Sequence, residues 1–397
     1  MATDKLFSKA IIQILFLVSM FSCSEPADEF ITPNPKDPIS DDSGNSSGNS
    51  VGSDTTDETG ESTNTINLED ITRDFTVLME NLGVPGAQVA VVSNEKLVYL
   101  RSFGLANTQG PSVDDNSLLR IGGISKPITL LALSQLVRQG LLDTDDTVFG
   151  ESGILGTRYG SAPYPPGVVN IRVQDLITHR SGFTDYPTDI MFEDPTLSQE
   201  ALINEVLNNR TLAFAPGTAY TYSNFGYCVL GRIIETVSGK SYEQYVREAV
   251  LAPMGISDMQ ISKDGNGARV PGEVSYYSNW QPPQNLNVTR MDAHGGWLAS
   301  AYHLALLAAQ SDGGGQFPDL LNAGEGLDYL GDALWFHNGA LPGTTALLRV
   351  NSGISYVVLM NRGEENFQEV IQYITNFMNQ KTLNRSQWPQ VDYFRQL

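Results

Sequence analysis

Apolar residues recur along this chain with two different spacings, which predict helices in some segments and strands in others. Between 68 and 82 they fall on one face at helical spacing, and the apolar run over 125–139 predicts a longer helix that ends at Gly140. Short apolar runs over 87–92 and 96–100, joined by a polar turn, predict two strands.

Strand-like patterns return only near the end of the chain. Segments 334–337, 345–350 and 354–360 are predicted strands, and 365–379 is a predicted helix, whereas turns and helices dominate between about 141 and 288. Early and late strands around a helical middle predict one antiparallel sheet built from both chain ends. A mostly helical region is inserted between these strands, which is an α+β pattern.

The first 22 residues are predicted to be a signal peptide. Two lysines precede the apolar run 10–21, which is too short to span a bilayer. Cys23 follows directly and resembles the lipidated cysteine of bacterial lipoproteins, which implies a lipid anchor in the outer membrane. The alternative is a free cysteine in an ordinary signal peptide. Acidic residues after Cys23 resemble the surface-export signals of some Bacteroidetes lipoproteins. The sequence does not determine whether the protein faces the periplasm or the cell surface.

Composition divides the remaining chain into three parts. Residues 23–67 are rich in Pro, Gly, Ser and Asp, and such low hydrophobicity predicts a disordered acidic linker. Residues 68–385 are predicted to form the folded domain, and 386–397 a C-terminal tail.

Charge and cysteine content exclude several classes of function. The chain has 45 acidic and 24 basic residues, a net charge of −21, and no basic patch, so no nucleic-acid partner is expected. Its two cysteines are Cys23 and Cys228, and we expect no disulfide between them. No His, Cys and Asp cluster has metal-ligand spacing, and no nucleotide-binding motif is present, so no metal and no cofactor are expected.

The segment Gly123-Ile124-Ser125-Lys126 leads into the predicted helix at 125–139. Positions 123 and 126 are three apart and share a helix face, so a lysine at 126 could take a proton from a side chain at 123. Ser125 lies about 200° around the helix from position 123 and should point away. This context resembles the Ser-x-x-Lys motif of the serine β-lactamase, penicillin-binding-protein and esterase superfamily. In that family the nucleophilic serine stands where this chain has Gly123.

A second segment, Tyr222-Ser223-Asn224, follows a turn and precedes an apolar helix. It resembles the Tyr-x-Asn motif of the same family. The resemblance implies that Tyr222 is a general base and that Asn224 orients the substrate or the lysine.

A third segment, His337-Asn338-Gly339, precedes the predicted strand 345–350. It resembles the family's Lys-Thr-Gly or His-x-Gly motif. The resemblance implies that Gly339 lets a substrate approach the strand edge. It also implies an oxyanion hole formed by the backbone N–H groups of Gly123 and Ala340.

Two further segments, 176–183 and 295–305, resemble the family without carrying chemistry. His179 and His294 are accordingly expected to be structural. The five matched segments run from Arg120 to Val350 and resemble class C β-lactamases and the related esterases and D-peptidases more than class A enzymes. The resemblance implies the β-lactamase/transpeptidase fold. This fold is an α/β sandwich (α+β) in which helices flank an antiparallel sheet, with the site in a cleft between the sandwich and an inserted, mostly helical lobe.

Three functions remain open from the sequence. The first is a ligand-binding pseudoenzyme for ester, peptide or cell-wall-like ligands, unable to form an acyl-enzyme because Gly123 has no side chain. The second is an active hydrolase in which Lys126 and Tyr222 activate a water molecule. The third is a non-catalytic interaction module of the cell envelope. The sequence does not identify the small-molecule or peptide ligand.

Overall fold

The computed structural model describes residues 66–263, 269–311, 334–351 and 353–395. The predicted signal peptide, Cys23 and nearly all of the predicted linker lie outside these residues.

A five-stranded antiparallel sheet combines strands from both ends of the described chain, as the alternation of apolar patterns predicts. The strands are β1 (Gly86–Ser93), β2 (Lys96–Gly104), β7 (Leu334–Leu341), β8 (Thr344–Asn351) and β9 (Ile354–Met360). Their order is β2-β1-β9-β8-β7, so the first hairpin pairs with the last three strands through β1 and β9. This confirms the α+β class, and β7 is longer than its predicted segment 334–337.

One face of the sheet is covered by the first and last helices, α1 (Glu69–Leu82) and α9 (Phe367–Thr382). The apolar face of α1, including Phe75, is buried against sheet residues such as Val89 and Val358. Removing such surfaces from water is the main force that holds the layers together.

The opposite face of the sheet carries α8 (Ala301–Ala309), beyond which lies the helical lobe. The helices of this region are α2 (Ser125–Arg138), α3 (Val173–Ile177), α4 (Gln199–Asn209), α5 (Asn224–Ser238), α6 (Tyr242–Val246) and α7 (Asp292–Gly295). Of these, α2, α5 and α7 pack against one another. The short strands are β3 (Leu119–Arg120), β4 (Gln260–Ile261), β5 (Tyr277–Ser278), β6 (Trp297–Ala299) and β10 (Arg362–Gly363).

The described part of the predicted C-terminal tail packs on the domain. Trp388 is partly buried against the core that α1 and α9 share with the sheet, and Tyr393 and Phe394 contact the core on the other face of the sheet. The backbone N–H of Leu97 donates to Asp392. Among the described helices, none has both the length and the apolar character needed to cross a membrane.

Candidate active site

The site begins where a single 3-10 turn, Gly122–Ile124, leads into α2. Lys126 lies in the first turn of α2 and is only 3 % exposed. An ideal Cβ atom on Gly123 would lie 3.8 Å from Lys126 Nζ, so positions 123 and 126 do face each other.

Lys126 is held by oxygen acceptors and aromatic rings. Its Nζ donates to Asn224 Oδ1 at 2.7 Å and to the carbonyl oxygen of His294 at 3.3 Å. The same atom lies 4.9 Å from the ring centroid of Tyr222 and 5.5 Å from that of Tyr227. Carbonyl acceptors and π faces are both partners of a cationic ammonium group.

The segment at Tyr222 is positioned by the start of α5. Ser223 caps this helix, because its hydroxyl accepts from the backbone N–H of Gly226 at 3.1 Å. The Tyr222 hydroxyl donates to Asn224 Oδ1 at 3.3 Å, so Lys126 and Tyr222 share one acceptor. Three residues predicted from two separate motifs therefore meet at this amide oxygen.

Two buried carboxylates lie behind Asn224. Asp185 Oδ2 accepts from the backbone N–H of Asn224 at 2.7 Å, and Asp189 Oδ2 accepts from the side-chain Nδ2 of Asn224 at 2.6 Å. Burial raises the pKa of Asp185 well above its usual range, and the charge of Asp189 adds to that rise. Burial likewise raises the pKa of Asp189, while its hydrogen bond from Asn224 and the charge of Lys126 oppose the rise.

Three histidines surround the lysine, and each has a depressed pKa. Burial, with a smaller effect from the charge of Lys126, lowers the pKa of His179 to about 3 and that of His337 to about 4. Burial and Lys126 also lower the pKa of His294 far below its usual value. These imidazoles are therefore neutral near pH 7.

His179 and His294, expected to be structural from the sequence, contact the predicted site residues. The His179 ring stacks on Tyr222 with centroids 4.6 Å apart, and its Nδ1 accepts from the backbone N–H of Ser223 at 3.1 Å. The carbonyl oxygen of His294 accepts from Lys126. Their contacts position Tyr222 and Lys126.

Strand β7 packs directly on the turn that precedes Lys126. A Cβ atom on Gly339 would lie 1.9 Å from the carbonyl oxygen of Ile121, so only glycine allows this approach. One on Gly122 would lie 3.0 Å from the backbone nitrogen of Ala340. The N–H-bearing segments around Gly123 and Ala340, predicted to form an oxyanion hole, thus face each other in close contact.

Ser125 lies outside this arrangement. Its side chain is fully buried, and its hydroxyl accepts from the backbone N–H of Trp297 at 3.3 Å. The helix-face argument from the sequence placed Ser125 in the same way.

The sequence did not single out Asp185 or Asp189. Their only signal was their place in the loop after segment 176–183, and two aspartates in a loop are usually solvated. Within the described ranges, no group of three or more His, Cys, Asp or Glu side chains is placed to hold a metal ion.

The geometry agrees with a comparison to known families, in which the profile described as Beta-lactamase matches residues 71–376. The chain belongs to the Beta-lactamase family. Penicillin-binding protein 4* of Bacillus subtilis (strain 168) is 27% identical to this Beta-lactamase-family chain over 209 residues. The match covers 51% of this chain and 43% of that protein. The chain thus spans less than half the length of this relative.

Solved structures show the same Beta-lactamase-like fold. A D-amino acid amidase from Ochrobactrum anthropi SV3, complexed with L-phenylalanine, superposes with a TM-score of 0.62 at 19% identity, covering 79% of this chain and 99% of that chain. D-alanine carboxypeptidase AmpC from Burkholderia cenocepacia superposes with a TM-score of 0.57 at 16% identity, covering 78% of this chain and 98% of that chain. At these identities the likeness shows the fold alone.

Proposed function

We propose that this Beta-lactamase-family domain is a non-covalent receptor for peptide- or ester-like ligands and does not form an acyl-enzyme. The observation that carries the proposal is the environment of Gly123. The point that its Cβ atom would occupy lies 3.8 Å from Lys126 Nζ, where the family resemblance places a nucleophile, and only 2.7 Å from the carbonyl oxygen of Asn338. Glycine supplies no side chain at this position, and the β7 backbone has approached the space that one would need.

The remaining polar groups support binding rather than proton abstraction. A general base must present a lone pair to its substrate. The neighbours of Lys126 include two hydrogen-bond acceptors, Asn224 Oδ1 and the His294 carbonyl, and two aromatic faces. All four are partners for an ammonium group, which favours a cationic Lys126 that attracts a polar ligand group over one that activates water.

The ligand class is inferred from the relatives. A putative D-alanyl-D-alanine carboxypeptidase of Escherichia coli O157:H7 is 26% identical to this chain over 187 residues, and its name refers to a D-amino acid. We infer that this cleft takes a short peptide or amide that contains such a residue. We also propose that Cys23 anchors the domain in the outer membrane, with the acidic linker as spacer, so that the ligand is met in the cell envelope.

The test combines covalent labelling with binding. Wild-type protein is incubated with a fluorescent penicillin and a fluorophosphonate and analysed by intact mass. Its affinity for N-acetyl-D-alanyl-D-alanine is measured by calorimetry. We expect no adduct, measurable binding, and loss of binding in Lys126→Ala and Tyr222→Phe.

Ser125→Ala is the matched control, because its hydroxyl is bonded to Trp297 and should not affect binding. An adduct on any residue of the cleft would refute the receptor proposal. Hydrolysis of an activated ester that disappears in Lys126→Ala and Tyr222→Phe would favour the water mechanism instead. If the protein binds no peptide or ester ligand, the hypothesis that remains is the non-catalytic interaction module of the cell envelope.

A further inference from the structure

Asn224 is the residue through which the polar groups of the cleft are connected. Its side-chain oxygen accepts from Lys126 at 2.7 Å and from Tyr222 at 3.3 Å, and its side-chain nitrogen donates to Asp189 at 2.6 Å. Its backbone N–H donates to Asp185. The way in which this amide is turned therefore decides what the cleft presents to a ligand.

Only one orientation of the amide satisfies both of its neighbours. A lysine ammonium donates hydrogen bonds and accepts none, and an ionised carboxylate accepts and donates none. The Asn224 amide has one acceptor end and one donor end, so it must turn its oxygen to Lys126 and its nitrogen to Asp189. A turned amide would set donor against donor at Lys126 and acceptor against acceptor at Asp189.

Asp189 is itself fixed in place. Its Oδ1 accepts from the backbone N–H of Met191 at 2.8 Å, which caps a 3-10 turn. The guanidinium of Arg290, only 3 % exposed, donates to the carbonyl oxygens of Met191 and Glu193 at 2.8 and 2.7 Å. The carboxylate is thus held through the oxygen that does not face Asn224.

We propose that Asp189 is a positioning residue of the cleft, which fixes the Asn224 amide so that its oxygen faces Lys126 and Tyr222. The inference rests on the proposed function in one respect, since it concerns the same cleft and predicts an effect on ligand affinity. Its structural part, the orientation of Asn224, is independent of any ligand.

The sharpest variant is Asp189→Asn. It keeps the size of the side chain but replaces an acceptor-only group by one that can both donate and accept, so either orientation of Asn224 becomes acceptable on that side. Asp194→Asn is the matched control, because Asp194 is in the same loop and its carboxylate is bonded to the neighbouring Thr196.

The readout is the side-chain NH2 signal of Asn224 in the full chain, labelled with 15N at asparagine and assigned by its loss in Asn224→Ser. In wild type we expect this signal to shift as Asp189 takes up a proton on acidification. In Asp189→Asn the signal should move and lose this pH dependence, whereas Asp194→Asn should leave both unchanged. Affinity for N-acetyl-D-alanyl-D-alanine should fall at least about tenfold in Asp189→Asn alone.

Each outcome decides one statement. An Asn224 signal that is unchanged in Asp189→Asn, or moved equally by Asp194→Asn, would overturn the inference. A moved signal in a protein that binds no peptide would support the positioning role and refute the proposed function. If Asp189→Asn does not fold, the wild-type titration still decides, because the Asn224 signal must follow the 13C-carboxyl signal of Asp189 with the same midpoint.

Discussion

The carbonyl oxygen of Asn338 lies 2.7 Å from the point that a Cβ atom on Gly123 would occupy. A Cβ atom and a carbonyl oxygen that are not bonded to each other do not approach so closely, so any side chain at 123 requires either the turn or β7 to move. The same two segments are already in backbone contact through Gly339 and Ile121. The missing side chain at 123 and the approach of β7 are therefore one structural feature.

Gly123→Ser should destabilise the domain, because the new side chain meets the β7 backbone. We expect a loss of about 1–3 kcal/mol in the free energy of unfolding, typical of overpacking against a backbone atom. Gly226→Ser is the control, since a Cβ atom there would meet nothing closer than 3.7 Å. Urea denaturation measures both, and equal stability of Gly123→Ser and wild type would contradict the close contact.

The same variant tests the position proposed for the nucleophile. If β7 yields, the new hydroxyl lies within reach of Lys126 and should be labelled by a fluorophosphonate. The mass increase should fall on the peptide that contains position 123, and it should be absent from wild type. Slow labelling that speeds up in mild denaturant would indicate that movement of β7 is the barrier. A folded variant that stays unlabelled under all conditions would argue against the proposed position.

The contribution of His337 to the free energy of unfolding should fall as the pH drops from about 6.5 towards 4. The His337 ring has a pKa of about 4 in the folded protein, below its ordinary value of 6.5, so in this window the unfolded chain binds a proton that the folded chain does not. Above pH 6.5 both forms are neutral and this effect vanishes.

The pH effect can be isolated by comparing wild type with His337→Gln. His337 as a whole residue is only half-buried, and we therefore expect it to contribute only about 1–2 kcal/mol between pH 6.5 and 4. The raised pKa values of Asp185 and Asp189 act in the opposite direction, and they remain in both proteins. Identical pH profiles of unfolding would show that His337 is not held neutral.

Arg290 should be essential for the loop that carries Asp189. Its guanidinium donates to four backbone carbonyls, those of Met191, Glu193, Asp194 and Leu197. Arg290→Met would remove the guanidinium donor from these carbonyls, of which Leu197 keeps a second donor in the Asn287 amide. We expect a loss of at least about 3 kcal/mol. Arg290→Lys, which keeps the charge but not the planar fork, should lie between wild type and Arg290→Met. Thermal and urea unfolding measure the stability of the three proteins. Equal stability of all three would contradict the prediction.

Cys23 should carry the lipid anchor. Wild type expressed with an alkyne fatty acid should be labelled and should fractionate with the outer membrane. Cys23→Ala should be unlabelled and released in soluble form. Cys228→Ala is the control for thiol labelling, because Cys228 is buried in α5. If the wild-type protein carries no fatty acid, the lipid-anchor prediction is wrong and the N-terminal segment is an ordinary signal peptide.

The sequence by itself determined the layers of the fold and the motifs that carry the candidate site residues. Short apolar runs at both chain ends are sufficient to predict a sheet shared between them, because each strand must bury at least one face. Helix geometry also places Lys126 on the face of position 123, whereas Tyr222 and Asn224 were predicted from their resemblance to the family's Tyr-x-Asn motif.

Only the tertiary structure decided what surrounds these residues. Lys126 meets the carbonyl of His294, 168 residues away, and Asn224 meets Asp189, 35 residues away in an irregular loop. No periodicity relates such positions, because loop residues approach one another through the packing of the elements that carry them. The contact between Asn338 and Gly123 has the same origin: a missing side chain is visible in the sequence, but whether a neighbouring strand approaches the space depends on the packing of β7 against the turn.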